Sequence, residues 1–122
     1  MSKFYRYPII NVDKVTDGDT VKLTLDLGFN LYKKLPIRLM GYDAPEIFFP
    51  TNENEYKAGI KVKEYLESLV DKFSYIETFK DPEIYGRFSG IIYTDYDQSI
   101  NEMVKEYMIR NGLTKEAILK EG

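Results

Sequence analysis

Three short segments in the first 41 residues carry strand patterning, and turn residues separate each from the next. Ile9 to Val15 reads as a strand that ends at the turn signal Asp17-Gly18. Thr20 to Leu25 alternates apolar with polar side chains and contains β-branched residues, which suit a pleated, half-buried surface. Gly28 and Asn30 mark a second turn, and Leu35 to Met40 makes a third strand closed by Gly41. Together the three strands form a meander, so the chain begins as an antiparallel sheet.

The pattern then changes period. A loop from Tyr42 to Asn52 holds Pro45 and Pro50, and Glu53 to Val70 follows with Ala58, Val62, Tyr65, Leu66 and Leu69 on one helical face. Gly59 is the one weak position in that helix. Ser74 to Phe79 and Phe88 to Tyr93 read as two more strands, with a turn over Asp81 to Gly86. Ile100 to Ile109 is a second amphipathic helix stopped by Asn111-Gly112, and Lys115 to Lys120 adds a short third. The order is three strands, helix, two strands, helix. It predicts an α+β fold: a five-stranded OB-like β-barrel with an inserted helix and one or two C-terminal helices. The alternative on pattern alone is an open sheet with its helices on one face. The 122 residues suffice for one core, so residues 1–122 are read as a single domain.

Composition narrows the chemistry. The chain has no Cys and no His, which removes disulfides, thiolate nucleophiles, Ser-His triads and His-ligated zinc. Hydrolysis would have to run on carboxylates, Lys, Tyr, Arg and a metal held by oxygen atoms. No signal-peptide pattern opens the chain, and no apolar run nears the roughly 20 residues of a membrane span. The reading is a soluble, cytoplasmic, monomeric protein with no membrane role, although a mature secreted form would present the same picture. The net charge of −3 is uneven: residues 1–40 carry 7 basic and 4 acidic side chains, residues 41–122 carry 10 and 16. A basic first third can face a phosphate chain, or the asymmetry is ordinary scatter.

Three motifs place charge at strand ends or in loops, where scaffolds present functional groups. They are Asp17-Gly18-Asp19-Thr20, then Arg38-Leu39-Met40-Gly41-Tyr42-Asp43-Ala44-Pro45-Glu46, then Glu83-Ile84-Tyr85-Gly86-Arg87. Singly, each has an ordinary structural reading. Asp17-Gly18 is a common turn, and Arg38 between Ile37 and Leu39 is a solvated strand residue. Asp43 and Glu46 around Pro45 can serve as caps, and Tyr85-Gly86-Arg87 can be only a hairpin turn.

In this order, with a helix between the second and third, the motifs resemble the staphylococcal nuclease (thermonuclease) family. The likeness runs from about Asn11 to Leu113 and includes Ile100-Asn101-Glu102 and Arg110-Asn111-Gly112-Leu113. It implies a Ca²⁺-dependent nuclease that hydrolyses DNA and/or RNA. Water attacks phosphorus, the 5′-oxygen leaves, and 3′-phosphate ends remain. Residue by residue, it implies metal ligation by Asp19, Asp43 and the Ala44 main-chain carbonyl, with Ala44 standing where the staphylococcal enzyme has Thr. It implies Glu46 as general base, Arg38 and Arg87 as phosphate-binding arginines, and Tyr85 near the bound nucleotide. Lys33 and Lys34 are further expected to meet substrate phosphates. Single-stranded or frayed nucleic acid is the expected partner.

The residue types suit that chemistry. Carboxylates and a carbonyl are hard ligands for Ca²⁺, and a guanidinium fork binds phosphate oxygens in pairs and stays protonated. Four departures stand out. The turn between the second and third strands is longer, with 19 positions from Asp19 to Arg38. Glu83 replaces Asp, Met103 to Ile109 adds a helical turn, and the family's long C-terminal helix is reduced. The competing reading is a catalytically silent module that binds nucleic acid or a protein partner.

Overall fold

The computed structural model describes residues 5–80 and 88–121. Five strands and three α-helices follow in the order β1 (Arg6–Asp17), β2 (Thr20–Gly28), β3 (Leu31–Leu39), α1 (Glu53–Ser68), β4 (Tyr75–Lys80), β5 (Phe88–Tyr93), α2 (Ile100–Arg110) and α3 (Lys115–Glu121). A single 3₁₀ turn, Val70–Lys72, closes α1 two residues short of the expected Val70.

The strands close into a barrel in the order β1-β2-β3-β5-β4. The β3–β5 pair is parallel, Arg38 facing Ser89 and Leu39 facing Gly90, and all other pairs are antiparallel. This is the OB-like α+β barrel expected from the pattern, and closure excludes the open-sheet alternative. Strand β1 makes closure possible. Its Arg6–Pro8 end pairs with β4 and the rest with β2, and three register irregularities let it bend between them.

Alternation decides which faces turn inward. Val21, Leu23 and Leu25 of β2 are buried, as are Ile37 and Leu39 of β3, Ile76 of β4 and Ile92 of β5. Val62 and Leu66 of α1, with Ile100 and Val104 of α2, complete the core. Helix α1 is capped by Asn52, whose side chain accepts from the Glu55 N–H, and α2 by Ser99, which accepts from Glu102.

The longer β2–β3 connection is not a longer turn. Phe29 and Asn30, both at positive φ, make a tight two-residue turn, and the added residues extend both strands. Asp26 pairs with Tyr32 and Thr24 with Lys34, so the hairpin is a long ribbon. Two left-handed central residues match the twist of the strands they join, which is why the turn stays short.

Candidate active site

Register brings the first two motifs together. Thr20 pairs with Arg38, and the Leu39 N–H donates to the Asp19 carbonyl at 2.7 Å. Asp19 therefore sits just before the start of β2, beside the end of β3. Gly41, at φ +95°, breaks the chain away from β3 in a conformation that favours glycine. The chain then folds back over the barrel end: the Tyr42 hydroxyl donates to the Gly18 carbonyl at 2.6 Å. Buried Asn101 of α2 holds this corner, donating to the Met40 and Gly90 carbonyls at 2.8 and 2.9 Å and accepting from the Ile92 N–H.

The next stretch is clamped by α1. Ala44 and Pro45 are buried. A side chain at Gly59 would begin 2.8 Å from the Pro45 carbonyl, so only glycine lets the helix approach this closely. The residue that weakens α1 by propensity is the one that seats the loop. Buried Glu55 straps the other side: its carboxylate accepts from the Thr51 N–H at 2.7 Å and the Glu46 N–H at 3.3 Å. The Thr51 N–H and then the Glu46 N–H pull its pKa below the usual carboxylate value against the opposing effect of burial.

At the centre, one guanidinium nitrogen serves two carboxylates. Arg38 Nη2 lies 3.1 Å from Asp19 Oδ2 and 3.0 Å from Asp43 Oδ1, and it also donates to the Tyr42 carbonyl at 3.3 Å. Asp19 Oδ2 accepts from the Ala44 N–H at 2.8 Å. Lys115, at the start of α3, places Nζ 3.0 Å from Asp43 Oδ2 and 3.6 Å from Glu46 Oε1. Burial, and then the carboxyl of Asp17, push the Asp19 pKa up to about 7, against the Ala44 N–H and Arg38. Burial and the Asp19 charge likewise raise the Tyr42 phenol, keeping it a hydrogen-bond donor. Burial lowers Lys115, but Asp43, Glu46 and Glu55 outweigh it and leave its pKa raised.

Of the residues singled out in the sequence, the fold thus gathers Asp19, Arg38, Asp43 and Glu46 at one barrel end. Ala44 is there too, with its N–H bound to Asp19. Lys33 and Lys34 lie four to five positions back along β3, roughly 13–17 Å away at strand rise. Lys34 approaches Asp13 at 3.6 Å instead. Tyr85 and Arg87 lie outside the described residues. Sequence reading does not single out Lys115 or Glu55. The Asn52-x-x-Glu55 spacing is a capping signal that points to Glu55. No local signal exists for Lys115, which meets Asp43 across 72 positions.

A calcium ion at this barrel end would have to be held by these donors. Among the described residues no three carboxylates form a cation cluster by themselves. The chemistry of the set nevertheless fits: two hard carboxylates turn toward one shared cation, and Asp17 adds negative charge beside them. Arg38 Nε is buried and makes no hydrogen bond.

The model of the staphylococcal nuclease homologue family matches residues 36–121. That span contains Arg38, Asp43, Glu46 and Lys115 and leaves Asp19 outside. No curated protein matches the chain.

Proposed function

The chain belongs to the staphylococcal nuclease family, a nuclease-type family, and on that footing we propose that it is a calcium-dependent nuclease cutting DNA and/or RNA to leave 3′-phosphate ends. One observation carries the reading: Asp19 from one motif and Arg38, Asp43 and Glu46 from another meet at one barrel end.

Asp19 and Asp43, with the Ala44 carbonyl, would hold the calcium ion. When bound, the ion supplies neutralisation of phosphate charge and orientation of the attacking water. Arg38, whose side chain is partly exposed, receives a phosphoryl oxygen on its guanidinium and stabilises charge as it accumulates there. Arg87 would add the second fork, and Tyr85 would lie against the nucleotide. Glu46 takes the proton from water as its oxygen bonds to phosphorus. The bond from phosphorus to the 5′-oxygen breaks, and that oxygen leaves and is protonated. Lys33 and Lys34, further along β3, would serve only a flanking stretch of the strand.

A second reading, the silent binding module, is favoured by one feature. Arg38 and Lys115 are already engaged by Asp19, Asp43 and Glu46, a self-satisfied arrangement. Incubation with single-stranded DNA decides between them. Cleavage with Ca²⁺, abolished by chelator and by Asp43→Ala, and products with 3′-phosphate ends support the nuclease. Binding without cleavage at any Ca²⁺ concentration assigns the silent module.

A further inference from the structure

Both carboxylate oxygens of Asp43 are held by cations of the chain itself. Arg38 Nη2 lies 3.0 Å from Oδ1, and Lys115 Nζ lies 3.0 Å from Oδ2. The same ammonium stands 3.6 Å from Glu46 Oε1, so one lysine bridges the proposed metal ligand and the proposed base. The two cations are held on different terms. Arg38 is shared by buried Asp19, Asp43 and the Tyr42 carbonyl, and moving it would strand the Asp19 charge. Lys115 pairs with carboxylates that face solvent, 59% and 47% exposed, from the end of a flexible four-carbon stem. Its backbone does not depend on the pair. Leu113 and Ile118 are buried on either side of it, and the Thr114 hydroxyl caps α3 by accepting from the Ala117 N–H at 3.2 Å. A cavity of about 400 Å³, with Asp43, Lys105 and Lys115 in its lining, gives the stem room to swing.

We propose that Lys115 is an internal competitor for calcium: its ammonium holds the Asp43 carboxylate in the metal-free protein, and the ion binds by displacing it. This rests on the calcium reading above and adds what sets the concentration at which the barrel end fills. Ca²⁺ takes oxygen ligands at about 2.3–2.6 Å. With the ammonium 3.0 Å from Oδ2, an ion on that oxygen would have it within about 6 Å. A double positive charge and an ammonium repel one another at that distance, so one of the two leaves the carboxylate. Lys115 is the one that can go, because its helix stays anchored and its stem is free to turn. Each calcium ion bound therefore breaks the Lys115 pair, and the apparent affinity falls by what that pair contributes. The same pair accounts for the self-satisfied arrangement of the site, since it balances the carboxylates without metal and yields to it.

The test is titration calorimetry of the full chain with Ca²⁺ and no substrate. Lys115→Met keeps a long stem and removes the charge. It should bind Ca²⁺ about 2- to 5-fold more tightly than wild type, the scale of one exposed ion pair. Lys115→Arg keeps a charge in place and should stay at the wild-type affinity. Lys105→Met removes a charge from the same cavity lining and should leave the affinity near wild type. An equal gain from Lys105→Met would mean a general effect of net charge and would overturn displacement. A second readout needs no variant: in wild-type protein the side-chain ammonium resonance of Lys115 should move in proportion to Ca²⁺ saturation, while that of Lys105 stays. A Lys115 resonance unmoved at saturating Ca²⁺ overturns the proposal, as does Lys115→Met that folds and binds Ca²⁺ no more tightly. If wild type cleaves single-stranded DNA with Ca²⁺ while either of these results holds, the nuclease reading stands and the competitor alone fails. If neither wild type nor Lys115→Met binds Ca²⁺, the calcium reading fails and takes the competitor with it.

Discussion

The two ends of the β2–β3 hairpin are built on opposite terms. At the turn end, Phe29 and Asn30 close a tight connection, and Phe29, Leu31 and Tyr32 stand exposed. At the other end, Asp19 is 6% exposed, and Arg38 holds it together with Asp43. The turn end follows from residues adjacent in sequence. The charged end draws in Lys115, Glu55 and Asn101 from three helices. Charge brought together this way works against the fold at neutral pH, because a carboxylate is held in a place that favours its protonated form. The difference teaches where changes should matter: substitutions near the turn should be nearly silent, and those at the charged end should alter rate and stability together.

The largest effect is expected at Glu46. Glu46→Gln keeps the side-chain shape and removes the base, so cleavage should fall roughly 10²–10⁴-fold while Ca²⁺ and nucleotide still bind. Near-wild-type rates with an unchanged pH profile would reassign Glu46 to loop organisation through its contact with Lys115.

Arg38→Ala should act on both properties. It leaves buried Asp19 without its cation, while exposed Asp43 keeps Lys115, and the loss should cost roughly 2–4 kcal/mol in metal-free denaturant melts. In kinetics the maximal rate should drop far more than substrate affinity, because the fork meets charge that develops during reaction. A change confined to the Michaelis constant would move Arg38 to ground-state binding.

Asp19 should show the opposite sign in stability. Its folded pKa of about 7 lies above the ordinary 3.8. Between those values the folded protein keeps a proton that the unfolded chain has released. Metal-free stability should therefore fall as pH rises from about 4 to about 7 and level off above. Asp19→Asn should remove that slope and stabilise the metal-free protein at pH 8 by on the order of 1–3 kcal/mol, while abolishing cleavage. A variant less stable than wild type at pH 8 would show that Arg38 and the Ala44 N–H more than offset the burial of the charge.

The smallest effect should come from Lys33→Ala/Lys34→Ala, toward the turn end. Each phosphate contact on a single strand contributes about 0.7 to the salt slope of binding. The double variant should lower the slope by less than that amount per lysine and leave the cleavage rate within about twofold. A full loss of about 0.7 for each would make both lysines direct phosphate ligands and erase the contrast between the two ends.

Local sequence determined the elements of this protein. Alternation over Thr20 to Leu25, the Asp17-Gly18 and Asn30 turn signals, the spaced apolar face of α1 and the Asn111-Gly112 stop all describe neighbours along the chain. Such signals act over a few residues; the helices follow them closely, while β1 and β3 begin three and four residues ahead of the patterned segments. The motifs also placed Asp19 and Arg38 at strand ends and Asp43 and Glu46 in the following loop, and their ordered likeness to one family carried the fold.

Tertiary structure alone decided what those side chains touch. Barrel closure depends on the parallel β3–β5 pair and the bent β1, which no two-residue period announces. Gly59 reads as a defect in a helix until the Pro45 carbonyl is seen against it. Lys115 reaches Asp43, and Arg38 is shared by two aspartates, because charges attract through space and not along the chain. Burial and the neighbouring Asp17 lift the Asp19 pKa toward neutrality, and nothing local to Asp19 in the sequence announces that burial.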